Sequence, residues 1–483
     1  MKKNNLLFVW FDPTSLKLRR AGGRLLLSLP KDTTNGKNKH LVPFVLSLSK
    51  YTNILLFLFC YLTNATPSLE TGMEYQKNEQ FTQAITCYEE IIQSNPYNIQ
   101  AMFNLGCCYL AIGQGEKAIA AFSYVTDLSP DALPAHYNKA FAHKTCGSVD
   151  AAIEGYKNII AAHPDYEPAQ LGLGFAYIAK GDFEHGWKQH ERYLKQSGKN
   201  GDALRSLLRN DTVAYKKILL RPEGDFGDTL LFVRYAERLK KMNADVIVAC
   251  QPQLIPLLSR CSYIDQLIPC NARTPENNAD ATLMSLPAIF NDNDETAPNN
   301  IPYLFADPAL VSYWKTRLAA DTNFKVGICW EASVKNDVSR SPIARRGCPL
   351  EQFSRLSDID GVSFYSLQKY DGVEQLTTLS PAFSLHVFDN LDEKSGPFMD
   401  TAAIIKNLDL IITVDTSIPH LAGGLGAQVW LLLPYATDWR WLCNRTDSFW
   451  YPTMRIFKQQ TPLDWNGVME MVHDALQQLT SKK

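Results

Sequence analysis

The chain has 483 residues, 46% of them hydrophobic and 20% charged, with a formal net charge of −2. That length is too great for one ordinary domain, so about three compact units are expected. The even charge balance and the lack of an arginine-aromatic stripe exclude a protein built to bind nucleic acid.

The eleven cysteines are scattered without a C-x-x-C pair, and the nine histidines show no H-E-x-x-H spacing. They read as buried or free thiols of a reducing compartment, with no pattern for a disulfide framework or a metal site. Residues 1–64 stand apart: ten Lys and Arg face only Asp12 and Asp32, and the segment ends in the apolar run ILLFLFCYL. That run falls short of the roughly 20 residues that span a bilayer, and the basic stretch before it is too long for a signal peptide. A disordered or spurious extension is expected there, with an export or anchor segment as the open alternative.

From residue 65 the chain repeats itself. Gly72, Tyr75, Phe81, Ala84, Tyr88 and Pro96 recur as Gly106, Tyr109, Ala118, Phe122 and Pro130. Ala140, Gly147, Ala152, Tyr156 and Pro164 follow, then Gly174, Tyr177, Gly181, Gly186 and Tyr193. The period of about 34 residues is that of tetratricopeptide repeats. Small residues let paired helices approach, an aromatic fills the gap to the next pair, and proline stops the helix. Four repeats are expected over 65–198. Their first helices line a groove with Phe103, Cys107, Tyr137, Phe141, Leu171 and Phe175. That groove either receives a peptide or docks the next domain, the plainer expectation.

A polar linker is expected over 199–214, and the periodicity then changes. KKILLRPEG reads as a buried strand, DTLLFVRYAERLKKM as one amphipathic helix, DVIVACQ as a second strand and DQLIP as a short third. The polar loop NDNDETAPNN leads to a second alternating block with strands in KVGICWEAS, VSFYSLQKYDG, LDLIITVD and QVWLLLP. Such alternation makes parallel sheets faced by helices. Two Rossmann-like lobes are expected, over 215–306 and 307–483.

Open parallel sheets hold ligands beyond the carboxyl ends of their strands. That rule selects Gly224 to Asp228 with Gly227 among them, Glu331 to Ser333, Lys369, and Asp415 with Thr416. At the last loop, Thr416 and Ser417 can cap the following helix, with Pro419 in its first turn. Free amides and the positive end of the helix dipole then suit a diphosphate, although a capped helix without a ligand fits the same residues. The segment 436–452, with Trp439, Trp441 and Trp450, reads as interface core or as a wall over the cleft.

The stretch TAAIIKNLDLIITVDTSIPHLAGGLGAQVWLLLP resembles the signature of heptosyltransferase-type glycosyltransferases, which carry D-T-x-x-x-H-L-A-x-x-L-G in the C-terminal lobe. EGDFGDTLLFVRYAERLK resembles their N-terminal G-D-x-L motif. With the repeats and PYATDWRWL, about residues 65–480 resemble a bacterial group of repeat-bearing, family-nine-like transferases. The resemblance implies an α-helical tetratricopeptide solenoid followed by an α/β GT-B fold. It implies a nucleotide-diphosphate sugar as donor, inversion at the anomeric carbon, and no cofactor or metal. It makes Asp228 the general base and Asp415 with Thr416 the donor-binding pair, joined by Ser417. Arg346 becomes the cation facing the diphosphate, with Arg345 as a competing alignment. Gly227, Ser333, Lys369 and His420 complete the donor side, His420 equally well as a packed residue. Asn104 and Asn138 fall where O-GlcNAc transferases hold peptides. The implied function is an inverting, metal-independent glycosyltransferase whose repeats recruit a protein or glycan acceptor. The implied location is the bacterial cytoplasm, with peripheral contact to the inner membrane left open. The alternatives are an interaction scaffold with inactive transferase lobes and an enzyme that isomerises nucleotide sugars.

Overall fold

The computed structural model describes residues 67–196, 201–333 and 345–481, with the backbone of short strand segments between Leu7 and Leu27. The expectation for residues 1–64 otherwise falls outside the described residues. Among the described residues no helix is long and apolar enough to cross a membrane.

The repeats form helix pairs: α1 (Leu69–Lys77) and α2 (Phe81–Ser94), α3 (Ile99–Ala111) and α4 (Gly115–Leu128), α5 (Leu133–Thr145) and α6 (Val149–Ala162), α7 (Glu167–Lys180) and α8 (Phe183–Gln196). The second helices begin at Phe81, Gly115, Val149 and Phe183, which keeps the period of about 34 without drift. Packing explains the small-residue columns. A Cβ on Gly106 would come within 2.8 Å of the Phe122 ring, so glycine is what lets α3 lie on α4. The expected linker is partly folded, because α9 (Asp202–Arg209) buries Leu204.

The N-terminal lobe holds β1 (Lys217–Arg221), β2 (Asp245–Cys250), β3 (Gln266–Pro269) and β4 (Ala279–Thr282), all parallel in the order β3-β2-β1-β4. The C-terminal lobe holds β5 (Phe324–Cys329), β6 (Val362–Ser366), β7 (Leu385–His386), β8 (Leu410–Val414), β9 (Val429–Leu433) and β10 (Met454–Lys458). These too are parallel, in the order β7-β6-β5-β8-β9-β10. Both sheets follow the Rossmann order, which leaves a crevice where the winding reverses, between β1 and β4 and between β5 and β8. The expected class, a helical repeat solenoid followed by two Rossmann-like lobes, is the one observed.

One expected helix is two. DTLLFVRYAERLKKM folds as α10 (Phe226–Phe232) and α11 (Arg234–Lys241), parted at Val233. The cause is Arg234, which is 2% exposed. Its Nε donates to the Leu231 carbonyl at 2.8 Å, while Nη1 reaches the carbonyls of Pro298 at 2.8 Å and Trp450 at 2.7 Å. Nη2 donates to the Tyr303 hydroxyl at 2.9 Å, so one side chain ties the N-terminal lobe to the segment before β10.

The groove of the array docks the molecule's own C-terminal lobe. Ala436 packs against the cluster of Leu110, Ala118, Phe122 and Ala142, and Cys443 against the cluster that holds Ala140, Ile153 and Tyr156. Phe175 stacks on Trp439 with centroids 5.0 Å apart and planes 5° from parallel. The Cys443 N–H donates to the Ala179 carbonyl at 2.9 Å, and Trp187 Nε1 donates to the Asp292 carbonyl at 3.0 Å. Trp439, Trp441 and Trp450 are buried, as the interface-core reading requires. Asn104 and Asn138 are engaged inside the array: Nδ2 of Asn104 donates to the Tyr88 hydroxyl at 3.3 Å, and that of Asn138 to Cys107 Sγ at 3.6 Å.

One hydrophobic core therefore runs from α8 through both lobes. Trp187→Ala is expected to cost about 3–5 kcal/mol in equilibrium urea unfolding, the range for an emptied aromatic site. Tyr97→Ala, at a position 74% exposed, is expected to stay within about 0.5 kcal/mol of the wild type.

Candidate functional site

A cleft of about 1030 Å³ lies between the two sheets. Its wall is built from loops at the carboxyl ends of β1, β5, β6, β8 and β9. Gly227, Asp228, Ser333, Arg346, Lys369, Asp415, Thr416, Ser417 and His420 all line it, as does Glu331.

On the C-terminal side, the buried β8 ends at Asp415, which is 6% exposed. Thr416 is the N-cap of α12 (Ser417–Gly424), its hydroxyl oxygen accepting the Ile418 N–H at 3.0 Å. Thr416, Ser417 and Ile418 line the cleft, so the amino end of the helix opens on it with its dipole positive there. Burial pushes the Asp415 carboxyl up to about 6; nearby Asp438 adds to this, while Arg346 and Arg440 oppose it. Of the two candidate arginines, Arg346 lines the cleft, whereas Arg345 Nη2 lies 3.5 Å from Glu331 Oε2.

His420 is a packed residue that also borders the cavity. Its ring stacks on Trp441 at 5.2 Å, and Nδ1 lies 2.9 Å from the Tyr451 hydroxyl. Burial, then the charge of Arg440, holds its pKa down at about 3, so the ring is neutral. Gly227 lies against this ring and the Thr416 carbonyl, which marks where the two lobes meet. Lys369 donates Nζ to the Leu391 carbonyl, and Tyr370 beside it is 77% exposed with a left-handed φ of 67°. A bulky residue rarely adopts that conformation. Gln368 fixes the loop: Oε1 accepts the Trp330 and Glu331 N–H groups, each at 2.9 Å. Its Nε2 donates to the carbonyls of Glu331 at 3.0 Å and Asp371 at 2.7 Å.

On the N-terminal side, Asp225 and Asp228 form a capping box at the start of α10. Asp228 Oδ2 accepts the Asp225 N–H at 3.3 Å. A Cβ on Gly224 would stand 2.1 Å from that oxygen, so the loop needs glycine to close on the carboxylate. Oδ1 accepts Nε of Arg440 at 3.0 Å and also its Nη2. Nη1 of Arg440 donates to Asp438 Oδ1 at 2.8 Å. Burial raises the Asp228 pKa and Arg440 works against the rise. Asp438 goes the other way: burial acts to raise it, but the charge and N–H bonds of Arg440 outweigh burial and bring it below the ordinary range.

Arg440, Asp438 and Gln368 were missed from sequence. Arg440 sits inside TDWRW, a motif conspicuous for its tryptophans. Lys144 and Thr145 of the third repeat also line the cleft, which repeat spacing alone does not disclose. Among the described residues no group of three His, Cys, Asp or Glu is placed to hold a metal ion.

Residues 69–132 match the family model for the tetratricopeptide repeat. Protein FlbA of Caulobacter vibrioides is 29% identical over 186 residues, which is 38% of this chain and 30% of that protein, so the chain spans less than a third of that relative. Among solved structures, the ADP-heptose lps heptosyltransferase II of E. coli aligns with 55% of this chain and 100% of its own at 13% identity and a TM-score of 0.39. A glycosyl transferase family 9 protein from Veillonella parvula aligns with 56% of this chain and 99% of its own, at 13% identity and a TM-score of 0.40.

The raised Asp415 pKa has a sign that can be tested. A carboxyl that ionises later in the folded state than in the unfolded chain withdraws stability as pH climbs from about 4 to about 6. Asp415→Asn is expected to stabilise the fold by on the order of 2 kcal/mol above about pH 7, a gain that vanishes below about pH 4. Thermal unfolding across that range measures it.

Proposed function

We propose that the chain is an inverting, metal-independent glycosyltransferase that takes its sugar from a nucleotide-diphosphate donor. The observation that carries this reading is the pairing, in one cleft, of an N-terminal-lobe carboxylate at Asp228 with an anion-suited helix end at Thr416 and Ser417. An acceptor hydroxyl attacking a sugar carbon must lose its proton as the new bond forms. Asp228 can take it through Oδ2, which holds only the long bond from Asp225, while Oδ1 is occupied by Arg440. The anomeric carbon then lies between this base and the leaving diphosphate, and attack from the base side inverts it. Negative charge grows on the diphosphate as the glycosidic bond breaks. The amides opening α12 and the Arg346 guanidinium are placed to meet that charge without a metal ion.

The acceptor is a protein or a glycan, and the repeats bring it to the cleft. Because Ala436, Trp439 and Cys443 occupy much of the concave face, a recruited partner binds elsewhere on the array.

A thermal-shift panel of nucleoside diphosphates and their sugars tests the donor. At least one is expected to raise Tm, and silence from every member would favour an interaction scaffold instead. Asp228→Asn is expected to keep donor affinity and to lower turnover at least about 100-fold. Asp415→Ala and Arg346→Ala are each expected to weaken donor binding roughly tenfold in calorimetric titration. Unchanged affinity in both would refute this donor pocket, and an epimerised donor formed without acceptor would point to isomerisation.

A further inference from the structure

The last turn of α5 enters the cleft. Phe141, Lys144 and Thr145 of the third repeat form part of its wall, beside Asp438 and Arg440 of the C-terminal lobe and Asp228 of the N-terminal lobe. Lys144 Nζ stands 5.6 Å from the Phe141 ring centroid. Among the described residues Lys144 has no ion pair within 4.0 Å, and the carboxylate whose charge bears on it is Asp438, which shares the cleft wall with it. Asp438 is itself held by Arg440, through its backbone N–H at 3.0 Å and Nη1 at 2.8 Å. Arg440 continues to Asp228 on the opposite lobe. Three parts of the molecule thus meet in one file of alternating charge.

Two carboxylates compete for one guanidinium in this file. Asp438 lies two residues from Arg440 on the same short turn, so it holds the side chain with little cost in conformational freedom. Asp228 must hold it across the gap between lobes. A positive charge on the far side of Asp438 weakens that competition, because it satisfies part of the field that would draw Arg440 back.

We infer that the third repeat is part of the reaction centre: Lys144 is a positioning residue for Asp228, acting through Asp438 and Arg440. The inference rests on the reading of Asp228 as the base. Without the ammonium, Arg440 shifts towards Asp438 and Asp228 loses its cation. Burial then raises the Asp228 pKa with only the Asp225 N–H bond against it, and a protonated carboxyl cannot accept the acceptor's proton. The other charged or titratable groups facing this file are Asp415 with Arg346 behind it, and the rings of His420 and His190. Burial holds His190 down at about 4 and His420 at about 3, so neither ring carries a charge near pH 7.

The test is a carboxyl titration by NMR on the full chain labelled with 13C at the aspartate side-chain carbon. The Asp228 signal is assigned by its loss in Asp228→Asn. Lys144→Met is expected to raise the Asp228 midpoint by about one pH unit, and Lys144→Arg to restore it. Asp438→Asn is expected to lower the midpoint, and in that background Lys144→Met is expected to move it no further. Lys144→Gln replaces the methionine variant if the latter does not fold. An unmoved midpoint in Lys144→Met overturns the inference, as does an equal shift with and without Asp438, which would mean that Lys144 acts by another route. The titration needs no donor or turnover. A wild type that fails to transfer sugar would therefore sink the proposed reaction while the link between Lys144 and Asp228 is still measured.

Discussion

Arg440 stands between two carboxylates that belong to different lobes, and much of the cleft is arranged around that fact. Burial raises the Asp228 pKa, and a protonated carboxyl is a poor base. The guanidinium makes a buried, ionised carboxylate tolerable, and it does so through one oxygen, while the other accepts the Asp225 N–H. Such a pair is costly to dehydrate and of little value as a simple stabiliser. Arg234 performs the complementary task behind the cleft, where its bonds to Trp450 and Tyr303 fix the spacing between the lobes.

The position of the cleft follows from the winding of two sheets. Each lobe reverses direction beside its first strand, and each reversal leaves loops with unpaired backbone groups at the carboxyl edge. In the C-terminal lobe those groups are organised by Gln368, which spans the ends of β5 and β6, and by Thr416, which caps α12. The result is a floor on which the exposed Tyr370 is held in a conformation that a loose loop would abandon.

Much of this was legible in the sequence, for stated reasons. The repeats were readable because a fixed period fixes helix positions. The long apolar strands β1, β2, β5, β8 and β9 were readable because a buried parallel strand has few ways to look otherwise. Three strands escaped notice: β4 carries a charged Asp280 at a sheet edge, β7 spans Leu385–His386 alone, and β10 carries two charges, Arg455 and Lys458, in five residues. The break at Val233 was hidden because Arg234 looks, in sequence, like any surface arginine on an amphipathic helix. The nine cleft residues came from strand-end logic and family resemblance together. Asp438 and Arg440 lie in the loop after β9 and inside PYATDWRWL, where the tryptophans draw the eye. Lys144 belongs to neither, since its place in the cleft wall is set by how the repeats dock on the lobes, which local pattern does not encode.

That docking divides the array mechanically. Contacts to the lobes come from the second, third and fourth repeats, through the clusters around Phe122 and Tyr156 and through Phe175 and Trp187. In a solenoid each unit leans chiefly on its neighbours. The array is thus a cantilever clamped near the cleft. A substitution in the outermost repeat is therefore felt least by the units clamped to the lobes, since it reaches them only through the repeats between.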